Sequence, residues 1–162
     1  MEELRKESQI SRIRALTAQL EKTEHNESLL ALRLKTVLDI AGAGIWDWEV
    51  GSDILRWDRR MVEMFGYDQK DFNTDAEGWF LCKLHHFMDK IHEDDKLRVE
   101  LKIKACLNDG VPYRITYRVV QREGVEFLLI QAAGDIFNDN SGKPERLVGV
   151  CISLEKEIVD AR

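Results

Sequence analysis

The chain has 162 residues, 44% of them hydrophobic and 33% charged, with only 2 Pro and 10 Gly, a balance that excludes collagen-like, low-complexity and disordered classes. No stretch approaches the roughly 18 consecutive apolar residues of a membrane span, and Met1 to Lys6 is charged rather than followed by a signal-peptide core. The three cysteines, Cys82, Cys106 and Cys151, are odd in number and widely spaced, which argues against a disulfide framework and predicts a cytoplasmic protein. A net charge of −6 with no Lys/Arg stripe argues against direct nucleic-acid binding.

Residues 1–40 hold seven basic and seven acidic groups, so the rest of the chain carries the whole net charge. The segment is rich in Leu, Glu, Lys, Arg and Ala and contains no Gly, Pro, Phe, Tyr or Trp, the composition of a long helix. Ile13, Leu16, Leu20, Leu30, Leu34 and Val37 recur on alternating steps of three and four, with Thr23 and Glu27 as polar entries in the same seam. That is a heptad pattern. At 1.5 Å per residue the helix would run about 60 Å, longer than its own small domain can cover, so the expected partner is the same helix of a second chain. The alternative is that only Leu29 to Ile40 packs on the domain.

Gly42-Ala43-Gly44 ends the helical composition. Ile45 to Val50 is aromatic and β-branched, Gly51-Ser52-Asp53 supplies a turn, and Ile54 to Trp57 follows; together they predict a hairpin. From Asp58 the spacing of Met61, Met64 and Phe65 predicts a helix stopped at Gly66, and a second helical piece starts at Asp68. The aromatic-rich stretch Asp75 to Ile91 is expected to be helical. His92-Glu93-Asp94-Asp95 opens another helix, through Leu107, that Asn108-Asp109-Gly110 stops; its acids suit the positive end of the helix dipole. Tyr113 to Val120, Phe127 to Ala133 and Leu147 to Ile152 read as strands, separated by turns at Arg122-Glu123-Gly124 and Asn138 to Pro144. Hairpins without βαβ alternation predict an α+β domain on an antiparallel sheet.

The residues resemble a PAS domain of the subgroup with a tryptophan-rich first strand. The blocks are Gly44-Ile45-Trp46-Asp47-Trp48, Leu55-Arg56-Trp57-Asp58, Met64-Phe65-Gly66-Tyr67 with Asp71-Phe72, His92-Glu93-Asp94-Asp95, Tyr117-Arg118-Val119 with Gly124, and Gly142 to Val150. The resemblance covers residues 42–154, after an N-terminal helix at 1–41 and before the start of a linker helix at 155–162. It implies a five-stranded antiparallel sheet with short flanking helices, and a core that in some members holds haem, flavin or a small metabolite. It further implies a sensory or interaction module that dimerises through flanking helices and signals to a histidine kinase, diguanylate cyclase or similar effector. The eight residues after Leu154 are too few for an effector, so the output is expected outside them. Three departures stand out: the closing Asp-Ile-Thr of the family is Ser153-Leu154-Glu155 here, Leu128 replaces a strand tryptophan, and the stretch from Asn73 to Ile91 is longer than the family norm.

Phe65, Phe87, Ile91, Leu101, Ile115, Tyr117, Leu129 and Val148 are the candidate lining of a small-molecule pocket, with the Tyr117 hydroxyl to orient a ligand; the alternative is a dry, filled core. The period-2 pattern leaves open which face of the sheet Trp46 and Trp48 occupy; the outer face, against the N-terminal helix, is the placement that makes them with Ser153 a route for the signal. Cys82, His85, His86 and His92 form the one soft-ligand cluster, but without a second Cys pair it does not match a structural zinc site. Haem ligation by His85 or His86 is the alternative cofactor reading. The Asn-Cys-Arg-Phe block of flavin-adduct members is absent, and neither a nucleophile elbow nor a phosphate-cradling loop is present, so no enzyme activity is expected within these residues.

Overall fold

The computed structural model describes residues 2–122 and 126–154; the turn expected at Gly124 and the linker helix expected at 155–162 lie outside them. The chain divides into two compact units, residues 1–40 and 41–162. The first is a single helix, α1 (Glu2–Ala41), as its composition predicts. Its seam residues Ile13, Leu16, Leu20, Leu30, Leu34 and Val37 are each more than half exposed. Among the described residues no helix is long and apolar enough to cross a membrane.

The second unit runs β1 (Gly44–Glu49), β2 (Ile54–Trp57), α2 (Arg59–Met64), a 3-10 turn at Gln69–Asp71, β3 (Asn73–Thr74), β4 (Phe80–Cys82), α3 (Leu84–Lys90), α4 (Glu93–Asp109), β5 (Tyr113–Arg122), β6 (Glu126–Asn138) and β7 (Pro144–Ser153). The strands form one antiparallel sheet in the order β3-β4-β2-β1-β7-β6-β5. The sheet thus has seven strands rather than five. Of the two additions, β4 falls in the stretch expected to be helical from Asp75, and β3 lies just before it. Phe80–Cys82 pairs there with β2, Trp57 opposite Phe80, and only Leu84–Lys90 is helix. Strands of two and three residues are too short for an alternation to register; pairing partners, not local pattern, define them.

Local chemistry fixes the helix starts. The Asp58 carboxylate accepts the Met61 N–H at 2.9 Å, capping α2. His92 caps α4, its Nδ1 accepting the Asp94 N–H, and Asp95 one turn in points inward. Asp95 accepts the Arg118 backbone N–H at 2.9 Å and two guanidinium N–H groups at 3.0 Å, tying α4 to β5. The Arg118 hydrogen bond holds its carboxyl well below the usual carboxylate range. Along α4 the buried face is Asp95, Val99, Ile103 and Cys106.

Trp46 sets the packing between sheet halves. On β1 the inward residues are Gly44, Trp46 and Trp48, which corrects the outer-face placement of both tryptophans: the β1 register opposite Gly149 and Leu147 of β7 turns them into the core. The Trp46 ring lies on Gly149 of β7 and Gly134 of β6, which pair with each other. A Cβ at Gly149 would stand 2.5 Å from that ring and 2.1 Å from the Ala133 carbonyl oxygen; at Gly134 it would stand 2.7 Å from the ring and from the Val148 oxygen. Gly134→Ala and Gly149→Ala are therefore each expected to lower the unfolding free energy by about 1–3 kcal/mol, Gly149→Ala more because both its backbone and its ring contacts are closer; urea unfolding with unchanged m-values measures it. Since the folded-state pKa of Asp95 lies below its unfolded value, its contribution is present above about pH 5 and is lost as pH falls through the carboxylate range. Asp95→Asn should cost about 2–3 kcal/mol near pH 7 and flatten the acid limb of a stability profile below about pH 5.

Candidate functional site: the core cavity

Between the sheet and the short helices lies a cavity of about 30 Å³. The sheet contributes Trp46, Trp48, Tyr113, Tyr117, Leu147 and Cys151, and the opposite wall is Met61 of α2, Leu84 and Phe87 of α3, and Ile103 of α4. The lining is apolar except at the end where β1, β5 and β7 meet. There the Tyr117 hydroxyl and the Cys151 thiol share a hydrogen bond of 3.5 Å, and the Trp46 and Tyr113 rings meet edge to face at 5.6 Å. Tyr113 Oη and Trp46 Nε1 are buried without a partner at hydrogen-bond geometry, although Trp46 also pulls on the Cys151 thiol.

Burial dominates the electrostatics here. It holds the Tyr113 and Tyr117 hydroxyls well above the ordinary tyrosine range and pushes the Cys151 thiol up to about 12. All three stay protonated at neutral pH, so Cys151 is not a thiolate nucleophile. The chemistry this end offers is hydrogen bonding to a compact, uncharged molecule.

Phe87 and Tyr117 line the cavity, while Phe65 and Ile91 are buried in the surrounding core. Ile115 is half-buried and borders a groove on β5, β6 and β7. Leu101, Leu129 and Val148 are exposed, at 56%, 37% and 38%, and do not line the site. The reason is register: Leu101 lies off the Val99–Ile103 face of α4, and Leu129 and Val148 are each one residue from the inward Ile130 and Leu147. Sequence reasoning missed Leu147, Tyr113, Ile103 and Cys151; the paired glycines Gly134 and Gly149, a cradle for a large inward ring, were the signal that could have fixed the face. Ser153 is exposed at the end of β7, opposite Ile130.

His85 and His86 lie outside the cavity. His85 is exposed and its ring meets that of His86 at 3.9 Å. The His86 Nδ1 accepts the Lys83 N–H at 3.0 Å, and its ring packs on Phe72. Burial, with the neighbouring His85, lowers its pKa, so the ring is neutral near pH 7. Haem does not fit this arrangement: the cavity is about a fifth of the ~150 Å³ that admits benzene, and α3 turns Phe87, not a histidine, toward it. The same volume leaves no room for a flavin. Among the described residues no group of three or more His, Cys, Asp or Glu is placed to hold a metal.

A sequence model of the PAS fold matches residues 54–151, more than half of the chain. The chain belongs to the PAS family. A sensory box histidine kinase/response regulator from Burkholderia thailandensis E264 superposes with a TM-score of 0.62 at 27% identity, over 75% of this chain and 84% of that one. The N-terminal domain of a diguanylate cyclase with PAS/PAC sensor from Marinobacter aquaeolei gives a TM-score of 0.58 at 18% identity, over 69% and 94% of the two chains. In sequence, Probable diguanylate cyclase DgcE of Escherichia coli (strain K12) is 26% identical over 136 residues, 84% of this chain but 11% of that protein. This chain is thus a signalling PAS module that spans about a tenth of that relative. Titration of the purified PAS module with haemin is expected to give no saturable Soret band; a band that His85→Ala or His86→Ala removes would overturn the exclusion of haem.

Proposed function

We propose that this chain is a cytoplasmic regulatory PAS module that works without catalysis, pairs with a second copy through α1, and passes its state to an effector of the histidine kinase or diguanylate cyclase type. The observation that carries the reading is the α1 seam. Six apolar side chains at heptad spacing stand 55–66% exposed on a helix of 40 residues. An apolar stripe of that length is stabilised by burial against a matching stripe, and a second α1 in register supplies an apolar partner opposite each of the six. Thr23 and Glu27 interrupt the seam and weaken its middle, which suits a helix whose pairing is to be adjusted rather than locked.

The core supports a mode of sensing by packing. A cavity of about 30 Å³ is far below the roughly 300–1,000 Å³ of ligand pockets, so a resident organic cofactor is not part of the reading. What changes the module is a partner or a small uncharged molecule with different affinity for two packings. Sedimentation of wild type and of the Leu16→Lys, Leu34→Lys double variant tests the pairing. The expected result is a dimer that becomes a folded monomer, with circular dichroism of the PAS unit unchanged; a variant that remains dimeric moves the interface away from α1.

A further inference from the structure

Asp53 is the one non-glycine residue at positive φ, 52°, among the described residues, a left-handed conformation that Asp tolerates better than most residues. It occupies the β1–β2 turn, and the conformation brings a single carboxylate oxygen, Oδ1, onto two donors from different elements. One is the Trp48 indole N–H at 3.0 Å; the other is the Leu84 backbone N–H at 3.1 Å, the first residue of α3. The second bond satisfies one of the donors that a helix start leaves open, and the Lys83 side chain makes no cap bond of its own. Trp48 and Leu84 both line the cavity. At its start α3 follows directly on β4, whose Cys82 pairs with Leu55; further along, Tyr67 donates to the His86 carbonyl at 3.0 Å, Ile91 bridges to Val119, and His92 N–H bonds the Arg118 carbonyl at 2.9 Å.

We propose that α3 is a movable wall of the core cavity, anchored to β5 at its C-terminal end and latched at its N-terminal turn by Asp53, so that release of this one carboxylate opens the cavity beside Trp48. Loss of Oδ1 removes both bonds together and frees the first turn of α3 before its middle and end. The inference rests on the reading of this domain as a sensory module and gives that reading a moving part. Opening at this place changes access to Cys151, which lines the cavity, and leaves Cys106, buried on α4 outside it, as an internal reference for global unfolding.

The test is thiol labelling of the full chain under native conditions with N-ethylmaleimide, resolved cysteine by cysteine by peptide mass spectrometry. Asp53→Gly removes the carboxylate without strain at positive φ, and Asp53→Asn keeps an oxygen acceptor in a residue suited to that conformation. Labelling through a local opening follows the population of the open form. The expected result is a rise of about tenfold or more in the Cys151 rate for Asp53→Gly, a rate within about threefold of wild type for Asp53→Asn, and an unchanged Cys106 rate in both. A parallel rise at Cys106, or no rise at Cys151, overturns the proposal. Hydrogen exchange in the wild type gives a second arm that needs no variant. The Trp48 indole and Leu84 amide protons should exchange with one opening free energy, with the Ile91 and Val119 amides slower; separate openings for the first two also overturn it. Both readouts report on α3 whether or not the chain pairs through α1, so a failed latch leaves the dimer reading standing and a failed dimer leaves the latch.

Discussion

The contact between Trp46 and the glycine pair Gly134–Gly149 is the constraint on which the rest of the PAS unit depends. The Trp46 ring comes so close to the strands beneath that neither glycine has room for a Cβ beside it, and Gly149 has no space even for a methyl group beside the Ala133 carbonyl. With the ring seated there, the inward face of β1 is decided, and with it the inward faces of β7, β6 and β5 through their registers. Trp46 then meets Tyr113 edge to face, and the polar end of the cavity is assembled from strands far apart in sequence.

Three aspartates join the elements around that seat, each in a different way. Asp95 ties α4 to β5 through backbone and guanidinium of Arg118 at once, the bidentate geometry that gives such pairs strength and direction. Asp47 accepts Arg146 Nε at 2.9 Å on the outer side of the sheet, joining β1 and β7. Asp53 joins the β1–β2 turn to α3. The first is buried, and its loss leaves the Arg118 guanidinium with the more distant Asp94, at 3.7 Å; the last is half-buried and holds two neutral donors. Stability is accordingly uneven, with α4 and β5 held more firmly than the N-terminal turn of α3.

The two units divide the work in a way that follows from their surfaces. The PAS unit keeps most of its tryptophan and tyrosine rings inside, with Trp57 and Phe65 fully buried and their rings 4.8 Å apart, while Phe127 and Phe137 are exposed, and it leaves little internal space. The helix does the reverse, holding its apolar seam in solvent. A domain closed on itself and a helix with an exposed apolar seam suit a module that senses at one place and couples at another.

Composition and periodicity determined the long helix, the position of the break at Gly42, the hairpin, the helix starts at Asp58 and His92 and the last three strands, because each is a local matter of propensity, helix dipole or alternation. The order of blocks from Trp46 to Val150 also made the family legible. The tertiary structure alone decided which face of each strand looks inward, and so replaced Leu101, Leu129 and Val148 by Ile103, Leu147 and Cys151 at the site. It alone decided that Phe80–Cys82 is a strand. An alternating pattern has two equivalent faces until something outside the strand breaks the symmetry, and here that is one indole resting on two glycines that stand 88 and 103 residues further along the chain.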